Sequence, residues 1–337
     1  MLTKLFLGSA GFCAIGILSA PAADTAPAAP SGQGVELTQL ADRVRVELNG
    51  QLFTEYYFRD VPRPYCYPVM GPGQVAMTRD WPMKNSPNEE HDHPHHRSLW
   101  FAHGSVNGYD FWSEEKQFGK TVHDGFIEVK SGQESGVIRS RNNWVAADGK
   151  VVCRDERTLR FFNPGERPER VMDFEITLFA SNGPLTLGDT KEGTMAVRLA
   201  ETMRLKGPVG HGHIVNSTGA RDGATWGKRA DWCDYYGPVA GQTVGLAIFD
   251  HPDNPRHPTW WHVRDYGLFA ANPFGQRDFE GLRGIRQKDV GNLVIPAGQS
   301  VTFRYRFYFH QGDERQAEVA EKYRQYIQSP TANPSRP

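Results

Sequence analysis

The sequence predicts an all-β protein, a large antiparallel β-sandwich with a C-terminal helix, and three observations predict it. Apolar residues recur with a period of two over several stretches, as half-buried strands require. Gly (35) and Pro (23) are abundant without a Gly-X-Y repeat, which fits a chain rich in turns. Only one stretch, near the C-terminus, carries a helical period.

In chain order, residues 1–23 read as a signal peptide. Lys4 supplies the positive start, Leu5 to Leu18 is apolar or small and short for a membrane span, and Ala20-Pro21-Ala22-Ala23 offers small residues for cleavage. The expected location is therefore exported, periplasmic or extracellular, with no membrane association after cleavage. Residues 24–34 form a flexible Pro/Ala/Ser/Gly leader, 35–330 a single sandwich domain and 331–337 a loose tail.

Val44, Val46 and Leu48 open the strand series. Met172, Phe174, Ile176, Leu178 and Ala180 alternate with Asp173, Glu175, Thr177 and Phe179, Met195, Val197 and Leu199 with Thr194, Ala196 and Arg198, and Val301, Phe303, Tyr305, Phe307 and Phe309 with Thr302, Arg304, Arg306, Tyr308 and His310. Further strands are expected near 51–58, 124–130, 136–147, 150–162, 242–249 and 261–270. Glu192, Thr194 and Arg198 would share the polar face of a regular strand over 194–200. The helix takes Asp313 as its cap and Val319, Ala320, Tyr323, Tyr326 and Ile327 as its apolar stripe.

Composition narrows the function. The 38 basic and 39 acidic side chains give a net charge of -1, which offers nucleic acid no electrostatic footprint. With 39% hydrophobic residues the chain is no disordered polymer. Cys66, Cys153 and Cys233 allow at most one internal bridge, no disulfide framework, and there is no C-x-x-C.

Candidate chemistry collects in four places. Glu89-Glu90-His91-Asp92-His93-Pro94-His95-His96-Arg97 is too polar for a core strand, and His103 follows close behind. If the segment is extended, His91, His93 and His95 point one way and Asp92 and His96 the other, so zinc or copper could be held through imidazoles. Without metal, the imidazoles suit proton transfer and Arg97 an anionic group. A hydrogen-bonded structural loop is the third reading. The cupin pattern also opens with H-x-H, but the glutamate it needs is missing after His93. The stretch Trp226 to Tyr236 interleaves aromatics with Lys228, Arg229, Asp231 and Asp234. His251 to Tyr266 brings Trp260, Trp261, His262, Arg264 and Asp265. Trp faces beside Arg, Asp and His suit a sugar, stacking on C–H surfaces while charged groups bind hydroxyls; aromatic packing at sandwich edges is the structural alternative. Asp189-Thr190-Lys191-Glu192-Gly193 supplies Glu192, a possible acid or base or a surface carboxylate at a strand end.

Arg63 to Gly73, His91 to Gly104, Asp189 to Gly193, Trp226 to Ala230 and Arg256 to Phe274 together resemble a bacterial family labelled "methane oxygenase PmoA", abundant in planctomycetes and functionally obscure. The membrane methane monooxygenase subunit is a bundle of transmembrane helices, which strand periodicity contradicts. The resemblance implies a β-sandwich, with the galactose-mutarotase supersandwich as a model, in bacteria rich in carbohydrate enzymes.

The leading expectation is an exported carbohydrate-active enzyme of hydrolase, lyase or epimerase type, working by acid–base chemistry on a sugar or modified glycoside. His96, His103 and His262 are the proton-transfer candidates, and Glu192 or Asp234 the carboxylate partner. Arg97, Lys228, Arg229, Arg264 and Asp265 would bind substrate and Trp261 would stack on it. The alternatives are a zinc or copper enzyme ligated by His91, His93 and His95, and a non-catalytic glycan-binding module.

Overall fold

Strong period-two patterning on long stretches demands that one face of each strand be covered, and two large sheets packed face to face do this. The computed structural model describes residues 1–2, 32–281 and 290–329. Residues 3–31, 282–289 and 330–337, and with them the expected signal peptide, most of the leader and the tail, lie outside the described residues.

The front sheet has eight antiparallel strands in the spatial order Val35–Gln39, Arg43–Leu48, Gln51–Tyr57, Tyr65–Val69, Leu99–His103, Gly193–Arg198, Leu268–Asn272 and Trp260–Val263. The back sheet, also of eight, runs His213–Asn216, Trp232–Val239, Gln242–Asp250, Ser300–Gln311, Arg170–Phe179, Val151–Phe162, Ser135–Val145 and Lys120–Lys130. Leu185–Leu187 pairs with Leu293–Ile295 in a separate two-stranded ribbon.

Along Arg170–Phe179 burial alternates without a break, placing Met172, Phe174, Ile176 and Leu178 inside. The inner faces meet through large side chains: Phe53 of the front sheet lies edge-on to Phe161 and Phe309 of the back sheet, at 6.0 and 5.5 Å. One polar knot interrupts this core. The Asp155 carboxylate accepts from Asn142 Nδ2, Trp144 Nε1 and both Nε and Nη2 of Arg157, at 2.6–3.0 Å, so the buried charge is paired and hydrogen-bonded.

Three expectations change. The run 261–270 is two strands, Trp260–Val263 and Leu268–Asn272, joined by the turn Arg264-Asp265-Tyr266-Gly267, with Gly267 at φ +90°. Asp313 does not cap the helix. Its Oδ1 accepts from the N–H groups of Arg315 and Gln316 and closes a preceding turn, and the helix begins at Val319. Its buried stripe is Val319, Tyr323 and Tyr326, packed on Phe249 and Tyr308 of the back sheet, while Ala320 and Ile327 face outward. Finally, Gly193–Arg198 is buried on both faces rather than one, because further structure covers the outward side of the front sheet. Cys66, Cys153 and Cys233 are buried free thiols. Among the described residues no helix is long and apolar enough to cross a membrane.

Candidate functional site on the outward face of the front sheet

Side chains alternate along a strand, so Leu99 and Phe101 enter the sandwich core while Trp100 and Ala102 point outward. Register then carries one outward row across five strands: Tyr65 opposite Trp100, Trp100 opposite Ala196, Ala196 opposite Ala270, Ala270 opposite His262. Two methyl groups thus lie between tall side chains. Trp100 and His262 stand three strand spacings apart, about 14 Å. Ala102 and Thr194 form a neighbouring pair, so the row is bordered by small residues. The result is a low floor between aromatic side chains, buried beneath the loops that cover it.

Two buried arginines fold loops over this floor. Arg79 donates to the carbonyls of Trp81, Glu90, Asp92 and His93 and pairs with the Asp92 carboxylate. The Glu89 carboxylate accepts from the N–H groups of Asp80 and Trp81, closing the same loop. Arg63 donates to the carbonyls of His95 and Trp112 and pairs with Glu114 at 2.9 Å, which sets Trp112 against Trp100 with centroids 5.2 Å apart.

The histidine segment is therefore a loop, and the strand-like alternation of His91, His93 and His95 against Asp92 and His96 does not occur. His93 and His96 stack at 4.7 Å, and His93 stacks on Tyr266 at 5.1 Å. His91 leaves the group and stacks on Trp81 at 4.1 Å. His95 meets His96 edge-on, its imidazole pushed down to about 4 by burial and by the charge of Arg63. Among the described residues no group of three His, Cys, Asp or Glu side chains is arranged to hold a metal ion, because His91 and His93 are turned to different partners.

Hydrogen bonds fix the tautomers of the two histidines that border the floor. Arg198 Nη1 donates to His96 Nδ1 at 3.0 Å. A guanidinium can only donate, so Nδ1 carries the lone pair and the proton sits on Nε2. Burial, then coupling to the neighbouring His95 and the charge of Arg198, hold this imidazole well below its ordinary range. His262 is the mirror case. Its Nδ1–H donates to the Lys191 carbonyl at 2.6 Å, leaving Nε2 as a bare acceptor, buried without a protein partner. Burial and then Lys191 bring its pKa down to about 3. One wall thus presents an N–H and the other a lone pair. Both rings are expected to stay neutral from pH 5 to 8, with nitrogen shifts in an NMR titration flat over that range; an inflection near 6.5 would contradict this. Their lowered values also give the sign of a stability effect. The folded state binds fewer protons, so this contribution is complete above about pH 6.5, the unfolded value, and is lost as pH falls below it toward the folded values.

Arg198, buried, also donates to Asp92 at 2.9 Å, and its guanidinium lies 4.9 Å over the Tyr266 ring. Arg264 approaches the same ring at 5.3 Å. Asn272 Nδ2 donates to the carbonyls of Thr190 and Lys191, and with His262 it ties the 189–192 loop to the floor. That loop brings the adjacent Lys191 ammonium and Glu192 carboxylate, paired and partly exposed, and the Glu192 charge acts on Tyr266.

Other sequence-predicted residues belong elsewhere. His103 follows the inward parity of Leu99 and Phe101, packs on Phe274 at 4.7 Å and pairs with the Gly188 carbonyl at 2.9 Å, its pKa lowered by burial to about 4. Asp234 lies on the back sheet in a fully buried pair with His310 at 3.0 Å, so it cannot serve this site. Arg97 is committed to Glu114 through Nε and Nη2, at 2.7 and 2.5 Å. Arg229 donates to the carbonyls of Pro258 and Arg256 and covers Trp260, holding the 256–258 turn. Lys228 is exposed at the edge, and Asp265 pairs with Lys206 at 3.1 Å.

Trp261 is core rather than platform: fully buried, against Phe269 at 5.7 Å, with Nε1 donating to the Ala230 carbonyl at 2.9 Å. Trp261→Ala is expected to cost about 3–5 kcal/mol in denaturant unfolding; lost sugar binding with unchanged stability would reverse that assignment.

Sequence reasoning missed Arg79, Trp100, Trp112 and Tyr266. For Trp100 the available signal was the apolar run Leu99–Ala102, which reads as a strand covered on both faces; the other three lie in loops and turns that carry no such pattern.

The chain belongs to the family described as Family of unknown function (DUF6807), whose model matches residues 43–324. No curated protein matches it in sequence. Among solved structures, a polysaccharide lyase is similar over 87% of this chain and 34% of its own, at 11% identity and a TM-score of 0.33. The chain thus spans about a third of the lyase's length. A galactose mutarotase related enzyme from Lactobacillus acidophilus is similar over 83% of this chain and 97% of its own, at 8% identity and a TM-score of 0.31. Likenesses of that extent carry no functional argument.

Proposed function

We propose that this chain is an exported carbohydrate-active enzyme that binds a sugar on the outward face of its front sheet and acts on it by acid–base chemistry. One observation carries the reading. Trp100 Nε1, Trp112 Nε1, Thr194 Oγ1 and His262 Nε2 are all buried without a protein partner, and all belong to this face or the loop over it. Each orphaned polar group costs on the order of 1–3 kcal/mol, which a bound polyhydroxylated ring recovers. Sugar hydroxyls both donate and accept, so they satisfy a donor such as His96 Nε2–H and an acceptor such as His262 Nε2 together. Aromatic faces take the C–H side of a ring. Glu192 beside Lys191 supplies the group that moves a proton.

The test is a sugar titration followed by NMR of the indole N–H groups. The Trp100 and Trp112 resonances are expected to move on binding while that of Trp261, bonded to the Ala230 carbonyl, stays. Shifts confined to other tryptophans, or no binding across neutral and acidic mono- and oligosaccharides, would sink the reading.

A further inference from the structure

We propose that the sugar taken by this site is acidic, a uronate or aldonate, with its carboxylate held by Arg264; this rests on the site reading above. Arg264 opens the turn between the last two strands of the front sheet, and its backbone is pinned. Its N–H donates to the Leu268 carbonyl at 2.7 Å, and its carbonyl accepts from Gly267 N–H at 3.1 Å and from the Tyr235 hydroxyl at 3.2 Å. Stacking over Tyr266 restrains the guanidinium plane.

The neighbouring cations are already matched. Arg79 and Arg198 share Asp92, Lys191 has Glu192, Lys206 has Asp265, and Arg204 has Glu90 and Glu201. Arg264 has neither an ion pair nor a side-chain hydrogen bond among the described residues. Those five cations face five carboxylates, since two guanidiniums share Asp92 while Glu90 and Glu201 share Arg204, so Arg264 is the guanidinium left over. Arg264 further lines an open cavity of about 630 Å³ with the apolar Leu205, Ile214, Trp226 and Val263; of the two carboxylates on its wall, Asp265 pairs with Lys206 and Asp222 accepts from Ile214 N–H. Trp226 Nε1 is a further buried donor without a protein partner, and its ring reaches His262 at 6.4 Å. An apolar wall, an indole donor and an unmatched guanidinium fit a ring with a C–H face, hydroxyls and a carboxylate that accepts two parallel N–H bonds.

The experiment compares galacturonate, glucuronate and gluconate with their uncharged methyl esters or lactone, titrated against the full chain by calorimetry or ligand-observed NMR. At least one acid is expected to bind about tenfold or more tightly than its uncharged form. Arg264→Gln is expected to erase that preference while weak binding of the uncharged form survives. Should Arg264→Gln fail to fold, Arg264→Lys, which keeps the charge and loses the fork, is expected to retain only part of it. Equal binding of acid and uncharged form, or a preference that survives in Arg264→Gln, would overturn the proposal and leave the sugar site standing. Absence of binding by every sugar, charged or not, would remove both.

Discussion

Asp92→Asn is expected to destabilise the fold by about 3 kcal/mol, read as a lower urea midpoint at pH 7. Arg79 and Arg198 are both fully buried, and both turn to this carboxylate. Removing one partner of a buried ion pair leaves an uncompensated charge, and such losses run to about 3–5 kcal/mol; the low end applies because Asp92 itself is 30% exposed. Asparagine keeps the shape and one accepting oxygen, so the loss reports charge. Burial opposes ionisation of Asp92, but the His93 hydrogen bond and the charges of Arg198 and Arg79 outweigh it and hold the carboxyl well below its usual range. A carboxyl lowered in the folded state stabilises above its unfolded value, near pH 4, and that contribution drains away as pH falls toward the folded value. The wild-type protein should therefore lose stability between pH 4 and 2 more steeply than the variant. Matching acid limbs, or an unmoved urea midpoint, would show that the two guanidiniums do not depend on this carboxylate.

Glu192→Gln is expected to reduce turnover about 10²–10⁴-fold, the usual contribution of a general acid or base. Stability should move by less than about 1 kcal/mol, since the Glu192 side chain is 38% exposed and its pairing with Lys191 is solvent-screened. The assay is kcat/KM on whichever sugar moves the Trp100 and Trp112 resonances, with a thermal melt alongside. Unimpaired turnover would remove Glu192 from the chemistry. Binding without any turnover in the wild type would make the face a glycan-recognition surface.

Much of the fold was legible because period two is a local signal. Arg170–Phe179 shows it over ten residues and Ser300–Gln311 as far as Phe307, beyond which Tyr308 and His310 are buried as well. The turn at Arg264–Gly267 was missed, although Arg264, Asp265 and Gly267 all interrupt the apolar arms on either side of it. The site was legible in part. His96, His262, Glu192 and Arg264 carry polarity in places where a strand or a loop of this kind does not need it. Which side of the sheet a residue meets depends on register, and register is set by partners far away in sequence. Trp100 and Trp261 look alike in the sequence, yet one faces the loops and the other the core. Asp234 finds His310 76 residues later, and nothing local announces the pairing. Arg79 reads as an ordinary surface cation until the loop it templates is seen around it.

The bond from Arg198 to His96 also sets a direction of traffic. An imidazole relays a proton by accepting at one nitrogen and releasing from the other, but the lone pair of His96 Nδ1 is permanently occupied by a donor that has no proton to spare. The ring can lend its N–H and take it back; it cannot pass a charge through. Proton movement in this site would then bypass His96 and fall to Glu192 or to the bare Nε2 of His262.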